Sequence, residues 1–166
     1  KVFSLDWNPR FGTDYQGDIR NFSAKDMPWK PDVVCASPDC TDFARWRMRG
    51  LSPALRERFL RGELKPPDVD LIRQTMRVIG EAKPDAWILE NIHGSKPFIE
   101  PIAGPVRNRL GPYYLYGDYP SFTVNDPKML FGKSRIGSGP DQAAQRAEIP
   151  RSVAEGFLNA IERGLR

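Results

Sequence analysis

Two short apolar strands with one amphipathic helix between them constrain this chain most. Val33-Val34-Cys35-Ala36 is apolar and begins with two β-branched residues, the pattern of a buried strand. Pro66-Pro67 then breaks the chain, and Asp68 is placed to cap a helix that runs to about Ala82. Ile72, Met76 and Ile79 fall at helical spacing and give that helix one apolar face. Pro84 ends it, and Ala86 to Leu89 forms the next strand. Strand, helix, strand in that order predicts an α/β fold with a mostly parallel sheet and right-handed crossovers. The length of 166 residues suffices for one domain with a real core, and 40% apolar with 28% charged residues is an ordinary globular balance.

The flanking segments read less sharply. Val2 to Leu5 is a short strand that ends at Asp6, followed by turn material from Asn8 to Gly12. Gly17-Asp18-Ile19 opens another turn or a short helix. Ser52-Pro53 starts an arginine-rich helix, with serine as cap and proline in the first turn. Tyr113 to Tyr116 is a further strand, and Ser121 to Gln145 is mostly loop, mobile around Gly137-Ser138-Gly139-Pro140. That stretch is not a phosphate loop, since it lacks a third glycine and no strand feeds it. Ile149-Pro150 leads into a last amphipathic helix with Val153, Phe157 and Ile161 on one face. No internal repeat or second domain is evident, so residues 1–166 are expected to form a single domain. A strand with nothing before it is a poor start for such a sheet, which predicts a missing segment ahead of Lys1 or a second chain.

No apolar run approaches the roughly 18 residues of a membrane span, and no secretory leader is visible. Cys35 and Cys40 make no disulfide framework, and His93 is the single histidine, which argues against a zinc site or any other metal centre. A free thiol suits a reducing, cytoplasmic compartment.

In open α/β sheets, ligands bind beyond the carboxyl ends of the strands. Asp6, Cys40 and Glu90 all follow strands in this way. Asp6 suits ribose hydroxyls, or is a turn aspartate. Asp18 and Ile19 suit an adenine, through the carboxylate and the main chain; the alternative is a helix cap. Cys40 follows Pro38 in a tight turn near arginines, a setting that lowers a thiol pKa. Cys35, within its strand, reads as core. Burial of Glu90 is expected to raise its pKa so that it serves as an acid near neutral pH. Asn91 is placed to fix the turn, and His93 reads as a surface or structural residue. The net charge of +4 matters through its distribution. Arg45, Arg47, Arg49, Arg56, Arg58 and Arg61 cluster after Cys40 with Trp46 and Phe59 among them, as phosphate pairing and base stacking require. A solvated basic helix face has the same composition.

At these residues the chain resembles the DNA cytosine-5 methyltransferases, the small phage-type members in particular. Ala36-Ser37-Pro38-Asp39-Cys40 is similar to the family's Pro-Cys turn, and Glu90-Asn91-Ile92 to its Glu-Asn-Val. Leu5-Asp6-Trp7-Asn8-Pro9 and Gly17-Asp18-Ile19 resemble its two cofactor-binding acidic segments. Tyr116-Gly117-Asp118 and Ala147-Glu148-Ile149-Pro150 resemble its closing segments.

The resemblance implies a Rossmann-like fold dependent on S-adenosylmethionine, N-terminally incomplete because the first strand and glycine-rich loop would lie before Lys1. It implies a target cytosine flipped from double-stranded DNA. Cys40 would be its nucleophile and Glu90 its acid, with Asp6, Trp7, Asp18, Ile19 and Pro38 at the cofactor. Asn91, Arg45, Arg47 and Arg135 would face the substrate, and residues 119–145 would form a short DNA-recognition loop. The setting would be the cytoplasm of a bacterial or phage-infected cell.

Three features depart from the family. Asp39 stands where the family has proline and would raise the thiol pKa and repel phosphate. The glycine-rich loop is absent. The family's Gln-x-Arg-x-Arg run has no clear counterpart, Arg135 taking part of its role. Two alternatives follow: a weakly active or inactive DNA-binding relative, or a pyrimidine C5-modifying enzyme acting on RNA or DNA. An amino-methyltransferase ranks below both, because Cys40 occupies the place of its stacking aromatic.

Overall fold

The computed structural model describes residues 1–44, 53–63, 65–124 and 149–164, and only the backbone of residues 55, 56, 59 and 60. Strands β1 (Leu5–Asp6) and β2 (Tyr15–Gln16) pair in parallel as a small ladder of their own. Strands β3 (Val33–Ala36), β4 (Ala86–Ile92), β5 (Asn108–Leu110) and β6 (Tyr113–Asp118) form the main sheet, in the order β3-β4-β6-β5. Helices α1 (Pro53–Leu60) and α2 (Asp70–Ala82) fall between β3 and β4, α3 (Lys96–Ala103) follows β4, and α4 (Arg151–Gly164) comes last.

β3 and β4 run parallel, with Val33 opposite Ala86 and Ala36 opposite Leu89, so the expected strand–helix–strand unit is present. β6 is antiparallel to both β4 and β5. The fold is mixed α/β, and the sheet itself is mixed. The reversal has a local cause: Gly111 and Pro112 alone separate Leu110 from Tyr113, and two residues suffice for a hairpin but not for a parallel crossover. Gly111 supplies the left-handed φ of +59°.

Alternation along β4 divides the core between two faces. Ala86 and Ile88 join Leu115, Val153, Phe157 and Ile161 beneath α4. Leu89 joins Ile72, Ile99, Tyr114, Tyr116 and Phe43 beneath α2 and α3. Burying each such large apolar side chain contributes about 1.5–3 kcal/mol. Gly117 allows β6 to approach β4 closely: its φ is +139°, and a Cβ there would lie 2.1 Å from the Trp87 carbonyl oxygen.

The helix signals were nearly in register. The Asp68 carboxylate accepts the Asp70 N–H at 2.9 Å, so α2 begins two residues after that aspartate. Its end is closed by Lys83 at φ +48°, whose N–H bonds the Ile79 carbonyl at 3.0 Å, and Pro84 then forbids continuation. β3 contradicts one reading: Cys35 is exposed rather than core. β3 is one of the two outer strands of the four, so its side chains lack the cover of a neighbour on one side. The first strand is also shorter than the span from Val2 to Leu5. Phe3 stacks on Phe22 at 5.9 Å and meets Trp29 edge-on, while Val2 is exposed, so only Leu5 and Asp6 pair. Among the described residues, no helix is long and apolar enough to cross a membrane.

Candidate active site

β3 and β4 end their parallel pairing level, at Ala36 and Leu89. β4 runs on to Ile92, because its other neighbour β6 still pairs with it: Glu90 opposes Leu115 and Asn91 opposes Tyr114. Glu90 and Asn91 are therefore held rigidly in a strand just where β3 turns away into Ser37-Pro38-Asp39-Cys40.

Two direct bonds join the turn to that strand. The Ser37 hydroxyl donates to Glu90 Oε2, and Asn91 Nδ2 donates to the Pro38 carbonyl at 3.1 Å. Asn91 Oδ1 also accepts the N–H of Ile92 at 2.9 Å. Glu90 is 8% exposed and Asn91 1%. Asn91 thus fixes the turn, as its place after Glu90 predicts. Its amide is spent inside the protein as a brace between the two turns, because side chains alternate along β4 and its own points beneath the cysteine-bearing loop.

Cys40 is half-buried and opens a helical stretch, its carbonyl accepting the Ala44 N–H at 2.9 Å. Phe43, 2% exposed, anchors that stretch in the core beside Phe98, with ring centroids 6.0 Å apart. Asp39 Oδ1 accepts both the Thr41 N–H at 2.9 Å and the Thr41 hydroxyl at 2.7 Å. Its charge is thus turned to the start of the helical stretch, the site that best tolerates an anion.

The expected cofactor residues fall into two groups. Asp6 Oδ1 accepts the Asn8 N–H at 2.7 Å, and its other oxygen takes no bond among the described residues. Trp7, on the same turn, is 74% exposed. Asp18 caps the 3-10 turn Ile19–Asn21 by accepting the Arg20 N–H at 2.9 Å and pairs with the Arg20 guanidinium at 3.0 Å. The Arg20 N–H, then its guanidinium, holds the Asp18 carboxyl below the usual range. The Ile19 carbonyl accepts from the Arg77 guanidinium at 2.9 Å. Two carboxylates and one main-chain N–H offer the acceptors and the donor that a nucleoside takes up. Pro38, half-buried, lies across the turn, and its carbonyl is already taken by Asn91.

Arg45, Arg47 and Arg135 lie outside the described residues, as do residues 125–145 of the expected recognition loop. Residues 119–124 pack inward instead, through Tyr119 and Phe122. Of the other clustered arginines, Arg58 pairs with Glu63, and Arg61 with both Glu57 and Glu63.

Other site residues went unnoticed in the sequence. Ser37 carried no signal beyond its place before proline. Arg107 and Arg109 did: they hold the Arg-x-Arg spacing of the family's Gln-x-Arg-x-Arg run. On β5 the Arg109 guanidinium sits 5.5 Å over the Tyr114 ring and Arg107 the same distance over Tyr119. Arg109 opposes Tyr114, which opposes Asn91, so it stands two strand spacings, about 10 Å, from Asn91. His93, exposed, packs on the same Tyr114 ring at 5.1 Å. No protein-family model matches the chain, and no curated protein matches it either.

Proposed function

We propose that the chain is the catalytic part of a DNA cytosine-5 methyltransferase with a Rossmann-like sheet, acting in the cytoplasm. One observation carries this reading: the cysteine-bearing turn is hydrogen-bonded, through Ser37 and Pro38, to the adjacent pair Glu90 and Asn91. A thiol and a carboxyl held on one rigid frame is what addition to a pyrimidine needs. The Cys40 sulfur bonds to C6 of a flipped cytosine while Glu90 protonates or hydrogen-bonds N3, and the C5–C6 electron pair becomes available at C5. S-adenosylmethionine, when bound, supplies the electrophilic methyl group that C5 takes up. Solvent takes the C5 proton, the electron pair of that bond restores the C5–C6 double bond, and the Cys40 thiolate is expelled from C6. Asp6, Asp18 and the Ile19 N–H hold the nucleoside of the cofactor. Arg107 and Arg109 take the DNA phosphates beside the site, a role Arg135 had been expected to fill in part.

The missing glycine-rich segment and Asp39 both favour a catalytically dead, DNA-binding relative. The bonds of Asp39 to Thr41 direct its charge into the start of a helical stretch, which weakens the second objection.

The test is covalent trapping on duplex DNA containing 5-fluorocytosine, with S-adenosylmethionine present. Fluorine at C5 blocks the last elimination, so a working thiolate stays bonded to C6. A denaturant-resistant complex is expected for the full chain, none for Cys40→Ala, and a yield slowed by about 10²–10⁴ for Glu90→Gln. Reversible DNA binding with no complex across varied sequences would replace the enzyme with a DNA-binding relative.

A further inference from the structure

Helix α2 carries a second stripe beside its apolar one. Asp70, Gln74, Arg77 and Glu81 follow at intervals of four, three and four residues, so they line one face. All of them are hydrogen-bonded to one another or to residues 18–26. The Arg20 guanidinium bonds Asp70 at 2.6 Å. Gln74 accepts from Arg77 Nε at 2.8 Å and donates to Asp70 at 3.4 Å. Arg77 Nη2 reaches the carbonyls of Ile19 at 2.9 Å and Phe22 at 2.8 Å, and its Nη1 reaches Glu81 at 2.7 Å. Glu81 in turn accepts the Ser23 hydroxyl and the Ala24 N–H, both at 3.0 Å.

Arg77 is the centre of this zip, and its guanidinium is engaged at Nε, Nη1 and Nη2. The two carbonyls it holds belong to the start of the 3-10 turn that Asp18 caps and to the residue that closes it. Its planar fork matches that paired demand, which a lysine ammonium would meet poorly. The same helix passes through Lys83-Pro84 directly into β4, the strand of Glu90 and Asn91.

We propose that Arg77 is a positioning residue for the cofactor. By clamping the Ile19 and Phe22 carbonyls onto α2, it sets where Asp18 and the Ile19 N–H stand relative to the strand carrying Glu90. This rests on the nucleoside-binding role given to that turn above. Glu81 supports the clamp by orienting the guanidinium and holding the following turn at Ser23-Ala24.

The experiment uses the full chain as wild type, Arg77→Gln, Arg77→Lys and Glu81→Gln, with two readouts. The first is independent of any ligand: amide hydrogen exchange across residues 18–26 against that of β4. Arg77→Gln is expected to speed exchange in 18–26 by about tenfold or more while β4 stays protected, with Arg77→Lys intermediate and Glu81→Gln milder. Unchanged exchange in 18–26 would overturn the clamp outright, and equal loosening of β4 would reduce Arg77 to a general stabiliser. The second readout is the dissociation constant for S-adenosylhomocysteine, beside that for duplex DNA alone. Weakening by about tenfold for the homocysteine compound in Arg77→Gln, with DNA affinity held, would establish the positioning role. Loosened exchange with unchanged affinity would overturn it. Absence of binding by wild type would instead remove the cofactor reading itself, and the positioning role with it.

Discussion

The turn that carries Cys40 and the turn that carries Asp18 are both held against neighbouring elements, by opposite means. The first is fastened from beneath, by Ser37 to Glu90 and by Asn91 to Pro38, with Glu90 and Asn91 buried at a sheet end. The second is fastened from the side by an exposed stripe of charges on α2, Arg20 and Asp70 being 44% and 39% exposed at their side chains. Buried polar contacts are costly to break because the abandoned group has no water to turn to; exposed ion pairs are screened and replaceable. The Cys40 turn is therefore built to be rigid and the Asp18 turn to be adjustable, which matches the catalytic and nucleoside-binding roles proposed for them. A thiol that must meet a ring atom tolerates little displacement, whereas a ligand that must enter and leave benefits from a turn that can loosen.

The contrast is sharpest at Asn91. Asn91→Leu leaves the Pro38 carbonyl and the Ile92 N–H without their partner in a buried setting, and an unfolding free energy lower by about 2–5 kcal/mol is expected. Denaturant titration measures it, and a loss below that of an exposed substitution would mean that the catalytic turn is no better fastened than the other. Gly117→Ala tests the sheet beneath that turn. Its Cβ would strike the Trp87 carbonyl, and a loss of about 1–3 kcal/mol is expected in the same titration. Ser37→Ala removes one donor from buried Glu90. About 1–3 kcal/mol of stability is expected to go, along with a slower trapping reaction.

Acid separates the two regions with the smallest perturbation. Asp70 and Glu81 join Asp18 in sitting below their ordinary values, Asp70 mainly through the Arg20 side chain and Glu81 mainly through the Ala24 N–H. A carboxyl depressed in the folded state stabilises it above its unfolded pKa and ceases to do so as the pH falls through the folded value. The docking of residues 18–26 should hold at neutral pH and loosen below the ordinary values of 3.8 and 4.5. Hydrogen exchange followed through that window should show it, with Glu81→Gln flattening the response. Raised salt should loosen the same residues and leave the Ser37–Glu90 and Asn91–Pro38 contacts intact.

Much of the frame was legible in the residues themselves. Val33 to Ala36, the apolar stripe of α2 and the breaking prolines announce a parallel strand pair joined through helices, and they set Cys40 after one strand and Glu90 on its neighbour. Local chemistry suffices there, since β-branching, helical periodicity and proline act within a few residues. Asp18 was legible as far as its two alternatives, and the cap is present.

Tertiary structure decided the rest. The antiparallel entry of β6 prolongs β4 by three residues and so places Glu90 and Asn91 within a strand rather than after one. The position of β3 at the outside of the four strands exposes Cys35, although its neighbours are those of a core strand. The direction in which Asn91 spends its amide, and the two carbonyl bonds of Arg77, depend on partners 53 to 58 residues away in the chain. Residue type states what a side chain can bond to, but only the packed sheet and helices determine which distant groups come within reach.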